Sequence, residues 1–296
     1  MDIEDLSEAL ERHAGLTLSD GPVQSVGGGS INRAYRVPSV DGPVFVKINA
    51  SSALGMLEAE AAGLEALRGA NAVRVPAVLG VGLAGEVAYL ALEWIGLGAK
   101  GPTAERELGR RLAQQHQVTS TTFGWDRDNT IGSTPQVNAP SEHWLVFFRE
   151  RRLRYQLDLA ARNGLPSPVV ADAATALARL DRILGDHRPR PSLLHGDLWG
   201  GNWGADAAGM PVIFDPAVYY GDRETDLAMT QLFGGFGSAF YAAYEAEWPL
   251  PAGAERRVDV YNLYHLLNHF NLFGAGYLQA VRAAIDQLGR AVEVRR

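Results

Sequence analysis

His195-Gly196-Asp197-Leu198-Trp199-Gly200-Gly201-Asn202, followed by Ile213-Phe214-Asp215, is the stretch on which the reading of this chain turns. Asn202 lies five residues after Asp197, and Asp215 thirteen after Asn202. An aspartate, an asparagine five positions on and a second aspartate ending the next strand form a set suited to phosphoryl transfer. Asp197 can accept the proton of an attacking hydroxyl. Asn202 and Asp215 offer the hard oxygen ligands that Mg²⁺ requires. Asp, Asn and Gly also favour ordinary turns, so the motif needs support from elsewhere in the chain.

That support lies upstream. Of 27 basic residues two are lysines, Lys47 and Lys100, and Lys47 sits within the apolar strand Val44-Phe45-Val46-Lys47-Ile48. Strand alternation puts it on the same face as Phe45. A cation in apolar surroundings needs an opposite charge or an anionic ligand; the alternative is a lysine snorkelling to the surface. Glu60 decides between them. It falls three residues after Leu57 and four before Leu64, on the apolar face of the following helix, whereas Glu58 and Glu65 fall elsewhere on the wheel. The pattern predicts a Lys47–Glu60 ion pair that holds nucleotide phosphates. Val26-Gly27-Gly28-Gly29-Ser30-Ile31-Asn32, between the first two strands, lets backbone N–H groups approach phosphates. Gly28, Gly29 and Ser30, with Lys47, Glu60 and Glu93 near the end of the strand before a linker, form the expected nucleotide-binding group. A strand rather than a helix follows the glycines, which excludes a Rossmann fingerprint, and no Gly-Lys-Ser/Thr is present for a Walker loop.

The periodicity predicts a helix over 2–14, strands over 23–26, 34–37 and 44–48, and a helix capped by Ser51 or Ser52 carrying Leu54, Leu57, Ala61, Leu64 and Leu67. Strands over 73–82 and 86–95 follow, then a glycine-rich linker over 96–102. Helices are expected over 103–118, 142–162, 170–185, 225–247 and 254–288, interrupted by strand-loop-strand over 192–215. The fold class is therefore α+β. A small antiparallel β-sheet lobe with one helix (1–96) binds nucleotide, and a larger, mainly helical lobe (97–296) carries catalysis and substrate. A ligand belongs in the cleft between them.

Composition narrows the chemistry. The 296 residues are 47% hydrophobic and 21% charged, as in globular proteins. A net charge of −7 and a pI near 5.5 argue against a nucleic-acid partner. The absence of cysteine excludes disulfides, thiolate metal sites and cysteine nucleophiles. The acidic start Met1-Asp2-Ile3-Glu4-Asp5 has no signal-peptide character. No apolar stretch approaches the roughly 20 residues of a membrane helix. A cytoplasmic protein with no membrane partner is expected.

The order glycine loop, strand lysine, helix glutamate, linker, Asp-x-x-x-x-Asn and strand aspartate resembles the protein-kinase-like fold. Leu194 to Asn202, with Asp215-Pro216-Ala217 and Tyr220-Gly221, resembles the fructosamine-3-kinase (ketosamine kinase) family more narrowly. So do Gly27-Gly28-Gly29-Ser30-Ile31, Pro43 to Lys47, Pro135-Gln136-Val137-Asn138 and Asn268-His269-Phe270-Asn271. The resemblance implies ATP and Mg²⁺ as cofactors and a small-molecule or protein-bound ketosamine as acceptor, phosphorylated on its third hydroxyl. The product is then unstable and releases the amine, which is deglycation. It also makes His269 a substrate contact, while Trp199, two residues past Asp197, can stack on a sugar or serve as a core tryptophan. Some members carry a cysteine for redox control where Ser30 stands here, so that regulation does not carry over.

Departures from protein kinases matter equally. His195-Gly196-Asp197 stands in place of His-Arg-Asp, Asp215-Pro216-Ala217 in place of Asp-Phe-Gly, and nine residues separate Asp215 from a helix start near Glu224. A peptide-docking segment has no room, so a small-molecule acceptor is expected. An aminoglycoside, choline or homoserine kinase of the same fold is the nearest alternative, and a nucleotide-binding pseudokinase module the next. Asp226 reads either as a brace for the catalytic loop or as a helix N-terminal charge. His116 and His195 read as structural, and Arg149 to Arg154 as a solvated helix face.

Overall fold

The computed structural model describes residues 3–27, 31–234 and 236–293. Helix α1 (Ile3–Ala14) is followed by strands β1 (Gln24–Val26), β2 (Arg33–Val37) and β3 (Val44–Ala50), then helix α2 (Leu54–Gly69) and strands β4 (Val78–Ala84) and β5 (Val87–Glu93). The five strands form one antiparallel sheet in the order β1-β2-β3-β5-β4. Alternation along β3 sorts its side chains onto two faces. Val44, Val46 and Ile48 pack under Leu6 and Leu10 of α1. Phe45 and Lys47 point the other way, toward α2, whose Leu57, Leu64 and Leu67 cover Leu90 and Leu92. Each such buried aliphatic contributes about 1.5–3 kcal/mol.

Both helices expected over 1–96 form, and they cover the two apolar faces of the sheet. Strand β4 also begins at Val78 rather than Val73, since Pro76 lacks an N–H and holds the residue before it extended. Val73 and Val75 are buried in the core all the same. The serines before α2 form a single 3₁₀ turn over Ser51–Ala53, and no side chain caps the helix.

The expected linker is not free chain. Its Leu97–Gly98 forms β6, which pairs with Ala205 and Asp206 of the second lobe. Helix α3 (Pro102–His116) then starts with proline in its first turn. A hairpin of β7 (Asn129–Ile131) and β8 (Thr134–Gln136) follows in a stretch given no element from sequence. Next come α4 (Trp144–Phe147), a π-helical turn (Phe148–Arg154), α5 (Tyr155–Arg162), α6 (Ser167–Leu177) and α7 (Asp181–Leu184). Strands β9 (Ser192–Leu194), β10 (Trp203–Asp206), β11 (Pro211–Ile213) and β12 (Tyr219–Gly221) carry the motif loops.

Helices α8 (Glu224–Leu232) and α9 (Ser238–Glu247) divide what the periodicity joined, with Gly234 at φ +84° in the break. Gly274 at φ +80° likewise ends α10 (Ala254–Phe273) before a 3₁₀ turn and α11 (Leu278–Glu293). Helix α10 runs through the core of this lobe, with Val260, Leu263, Leu267 and Phe270 buried. Among the described residues no helix is long and apolar enough to cross a membrane.

Helices α3 and α9 approach closely at Gly109, where a Cβ would run into the carbonyl of Phe240. Gly109→Ala is expected to lower stability by about 1–3 kcal/mol. Gly289→Ala, in α11 with no neighbour near its Cβ position, should instead raise it by about 0.5–1 kcal/mol. Thermal unfolding of both variants checks the pair.

Candidate active site

Lys47 is 5% exposed at the floor of the cleft. Its Nζ donates to Glu60 Oε1 at 2.5 Å and to Asp215 Oδ1 at 2.6 Å. The sheet supplies the lysine, α2 the glutamate, and the loop after β11 the aspartate. Burial alone would favour the neutral amine, but Asp215 and Glu60 reverse this and raise the Lys47 pKa, so it stays charged. One cation between two carboxylates leaves the cluster net negative, an arrangement suited to a further cation.

Asp215 sits at φ +58°, in the left-handed region that asparagine and aspartate tolerate better than most side chains. The residues around it are zipped to the His195–Asn202 loop. Phe214 N–H donates to the Asn202 carbonyl at 3.0 Å and Ala217 N–H to the His195 carbonyl at 2.8 Å. Gly196, at φ +84°, is packed against the Ala217 carbonyl with no room for a Cβ.

Asn202 Nδ2 donates to the Asp197 carbonyl at 2.8 Å and to its Oδ2 at 3.2 Å. No described residue donates to Asn202 Oδ1 or Asp215 Oδ2, so both oxygens can serve a hard divalent ion. Burial, then the negative charge of Asp215, pushes the Asp197 carboxyl up to about 7. A divalent cation beside it acts in the opposite direction.

Asp226 braces the loop from below. Its carboxylate accepts the N–H of His195 at 2.7 Å and of Gly196 at 2.8 Å, and faces His116 Nε2 at 3.1 Å. Burial opposes the charge on Asp226, but the hydrogen bond and charge of His116 outweigh it, and its pKa falls. Burial lowers the pKa of His195. Its Nε2–H donates to the Phe214 carbonyl at 3.0 Å, and Nδ1 accepts the Asp197 N–H at 3.3 Å. Both histidines thus act as struts.

Lys47, Glu60, Glu93, Asp197, Trp199, Asn202, Asp215 and His269 all line one cleft of about 1110 Å³. Trp199 is 37% exposed, its ring lying over Gly201, where a Cβ would collide with it. His269 Nδ1–H donates to the His265 carbonyl at 2.8 Å. Glu93 reaches the cleft edge, but its carboxylate is taken by Arg74 at 2.7 Å and the Ala77 N–H at 3.2 Å. Arg74 also binds Asp206 at 2.6 Å, which ties β5 to the second lobe. Gly28, Gly29 and Ser30 lie outside the described residues. On the far side of that loop Asn32 Oδ1 accepts from Asn49 at 2.7 Å.

The arginine run over 149–154 is not the solvated face expected. Arg151 and Arg154 are exposed, but Arg152 is fully buried. The π-helical turn that contains it sets its side chain inward. Its guanidinium donates to the Val137 carbonyl and to Asn138 Oδ1, each at 2.6 Å, and lies over the Tyr219 ring at 4.1 Å. From there a buried network runs to the loop after Asp215. Asn138 donates to Asn129, Gln136 to Asn129 and the Ala217 carbonyl, and Asn129 to the Val218 carbonyl. Tyr264 completes it, donating to Gln136 Oε1 at 2.7 Å. These residues fix the backbone just past Asp215. The Gln136 and Asn138 positions were visible in sequence as a motif without a role; Arg152 was hidden among its exposed neighbours.

A sequence profile of the fructosamine kinase family matches residues 3–291. A probable ketoamine kinase of Synechocystis sp. is 46% identical over 265 residues, spanning 89% of each chain. A chloroplastic protein-ribulosamine 3-kinase of Arabidopsis thaliana is 43% identical over 92% of this chain and 83% of that one. A crystal structure from Haemophilus somnus, provisionally named a fructosamine-3-kinase, superposes with a TM-score of 0.89 at 30% identity, covering 97% of each chain.

Arg152→Lys cannot reproduce the planar contacts to two acceptors and a ring. It is expected to cost about 1–3 kcal/mol of stability and to lower turnover. Arg151→Lys, at the exposed neighbour, should change stability by less than about 0.5 kcal/mol. Denaturant unfolding and an ATP-turnover assay of the two variants test this.

Proposed function

The chain belongs to the fructosamine kinase family, and we propose that it transfers the γ-phosphoryl group of ATP to the third hydroxyl of a ketosamine. One observation carries this reading: Lys47, Asp197, Asn202 and Asp215 line a single cleft together with Trp199 and His269. The names of the relatives, ketoamine kinase and protein-ribulosamine 3-kinase, support the acceptor class.

In this mechanism residues 1–96 form the nucleotide lobe and 97–296 the catalytic and substrate lobe. Lys47, held by Glu60, meets the phosphates from the floor of the cleft, and the glycine loop covers them. Asn202 and Asp215 offer the oxygens that would hold Mg²⁺, which when bound would neutralise charge on the transferring group. Asp197 orients the sugar hydroxyl and takes its proton as the oxygen–phosphorus bond forms and the bond to ADP breaks. Positioning and electrostatic stabilisation supply most of the acceleration. Enolisation of the phosphorylated ketosamine then expels the C3 phosphate as inorganic phosphate, and water hydrolyses the resulting iminium to free the amine, a deglycation. A cytoplasmic location, where ATP and Mg²⁺ are supplied, fits this reading.

Aminoglycoside phosphotransferases share the fold, one with a TM-score of 0.67 at 16% identity in a complex with ADP and hygromycin B. A transfer screen over fructosamines, ribulosamines, aminoglycosides and choline, read by mass spectrometry, separates the acceptors. Phosphorylation of a ketosamine is expected, abolished by EDTA and reduced about 10²–10⁴-fold in Asp197→Asn. Transfer to an aminoglycoside or choline with none to a ketosamine would overturn the acceptor assignment.

A further inference from the structure

Beyond Trp199, the acceptor end of the cleft is walled by Phe233 at the end of α8, His269 and Phe273 on α10, and Tyr277 in the 3₁₀ turn that follows. Their rings form one cluster. The His269 ring lies 4.5 Å from Phe233, 5.6 Å from Phe273 and 5.1 Å from Tyr277, and Phe233 meets Tyr277 edge-on at 6.3 Å. The cluster adjoins the catalytic loop, since the Gly234 carbonyl lies 3.4 Å from the Cβ position of Gly200.

Phe273 is 49% exposed, and Phe233 and Tyr277 are half-buried. Rings left open in a cleft present negative π faces. Elsewhere in this protein such faces are occupied by its own cations: Arg36 on Trp94, Lys100 on Trp203, Arg152 on Tyr219 and Arg223 on Trp248. No described lysine or arginine lies over Phe233, Phe273 or Tyr277. The basic residues lining the cleft are Lys47 and Lys100. Lys47 is held by two carboxylates, and Lys100 by the Gly200 carbonyl and the Trp203 ring. His269 contributes no competing charge, because burial lowers its pKa.

We infer that the Phe233–His269–Phe273–Tyr277 cluster is a subsite for the protonated secondary amine of the acceptor and the carbons beside it. This rests on the ketosamine reading and deepens it: acceptor choice is set by the cationic nitrogen as well as by the sugar. A free ketose offers the hydroxyl but leaves the aromatic wall empty. The amine presents a charge spread over adjacent CH groups, which aromatic faces bind well.

The test is calorimetric and omits nucleotide, so it reads binding alone. A 1-alkylamino-1-deoxyketose is compared with its uncharged 1-O-alkyl ether. The intact protein is expected to bind the amine at least about tenfold more tightly, from several ring contacts worth roughly two- to fivefold each. Phe273→Leu combined with Tyr277→Leu should bring that ratio to within about twofold while the melting temperature holds. Phe273→Trp should preserve it. A ratio near one in the intact protein, a ratio that survives the double leucine substitution, or failure of both ligands to bind would each overturn the subsite. If the amine binds through the cluster but is never phosphorylated from MgATP, the catalytic reading falls and the subsite stands.

Discussion

A buried lysine cannot stand alone, and the architecture follows from how Lys47 is accompanied. Its charge is stable in the floor of the cleft because Glu60 and Asp215 both lie within hydrogen-bond distance. Removing both partners would leave a desolvated charge uncompensated, at a cost on the order of 3–5 kcal/mol. The three residues come from the sheet, from α2 and from the second lobe, so one electrostatic requirement fixes the relative positions of all three. Two negative charges against one positive also leave the site complementary to a metal that carries phosphates.

The other half of the site is held by a different device. The backbone around Asp197 is secured from below by Asp226, which accepts two consecutive N–H groups, and from the side by His195. The backbone past Asp215 is secured by Gln136 and Asn129 through the Ala217 and Val218 carbonyls. Every link is a hydrogen bond to main chain, buried except for the part-buried one from His195, and buried bonds are expensive to leave unmade. The Asp197 and Asp215 loops are thereby held to each other through short backbone-to-backbone bridges. A left-handed Asp215 is tolerable in such a frame because its surroundings determine its conformation.

What the sequence made legible were the places where two periodicities cross. Lys47 breaks a period-two apolar strand and Glu60 breaks a helical apolar stripe; each anomaly explains the other, and the pair was readable before any coordinates. Asp197, Asn202 and Asp215 were legible because chemistry fixes their spacing. Arg152 was not, because a π-helical turn shifts side-chain directions relative to an α-helix and an arginine run looks uniformly solvated. The β7–β8 hairpin was missed because strands of three residues are too short to show alternation. The breaks at Gly234 and Gly274 lay inside patterns that read as continuous helix, although Gly234-Gly235-Phe236-Gly237 and Gly274-Ala275-Gly276 were the signal for them. Glu93 was read for its position alone, and the Arg74 bridge that occupies it depends on a partner 19 residues away.

The claim that Lys47 and Glu60 act as one unit is tested most directly by a double-mutant cycle on kcat/KM for ATP. Lys47→Met and Glu60→Gln should each reduce it severely, and the double variant should lose far less than the sum of the two in free energy. Losses that add strictly would contradict the account, because independent residues could not be the interaction on which the cleft is built.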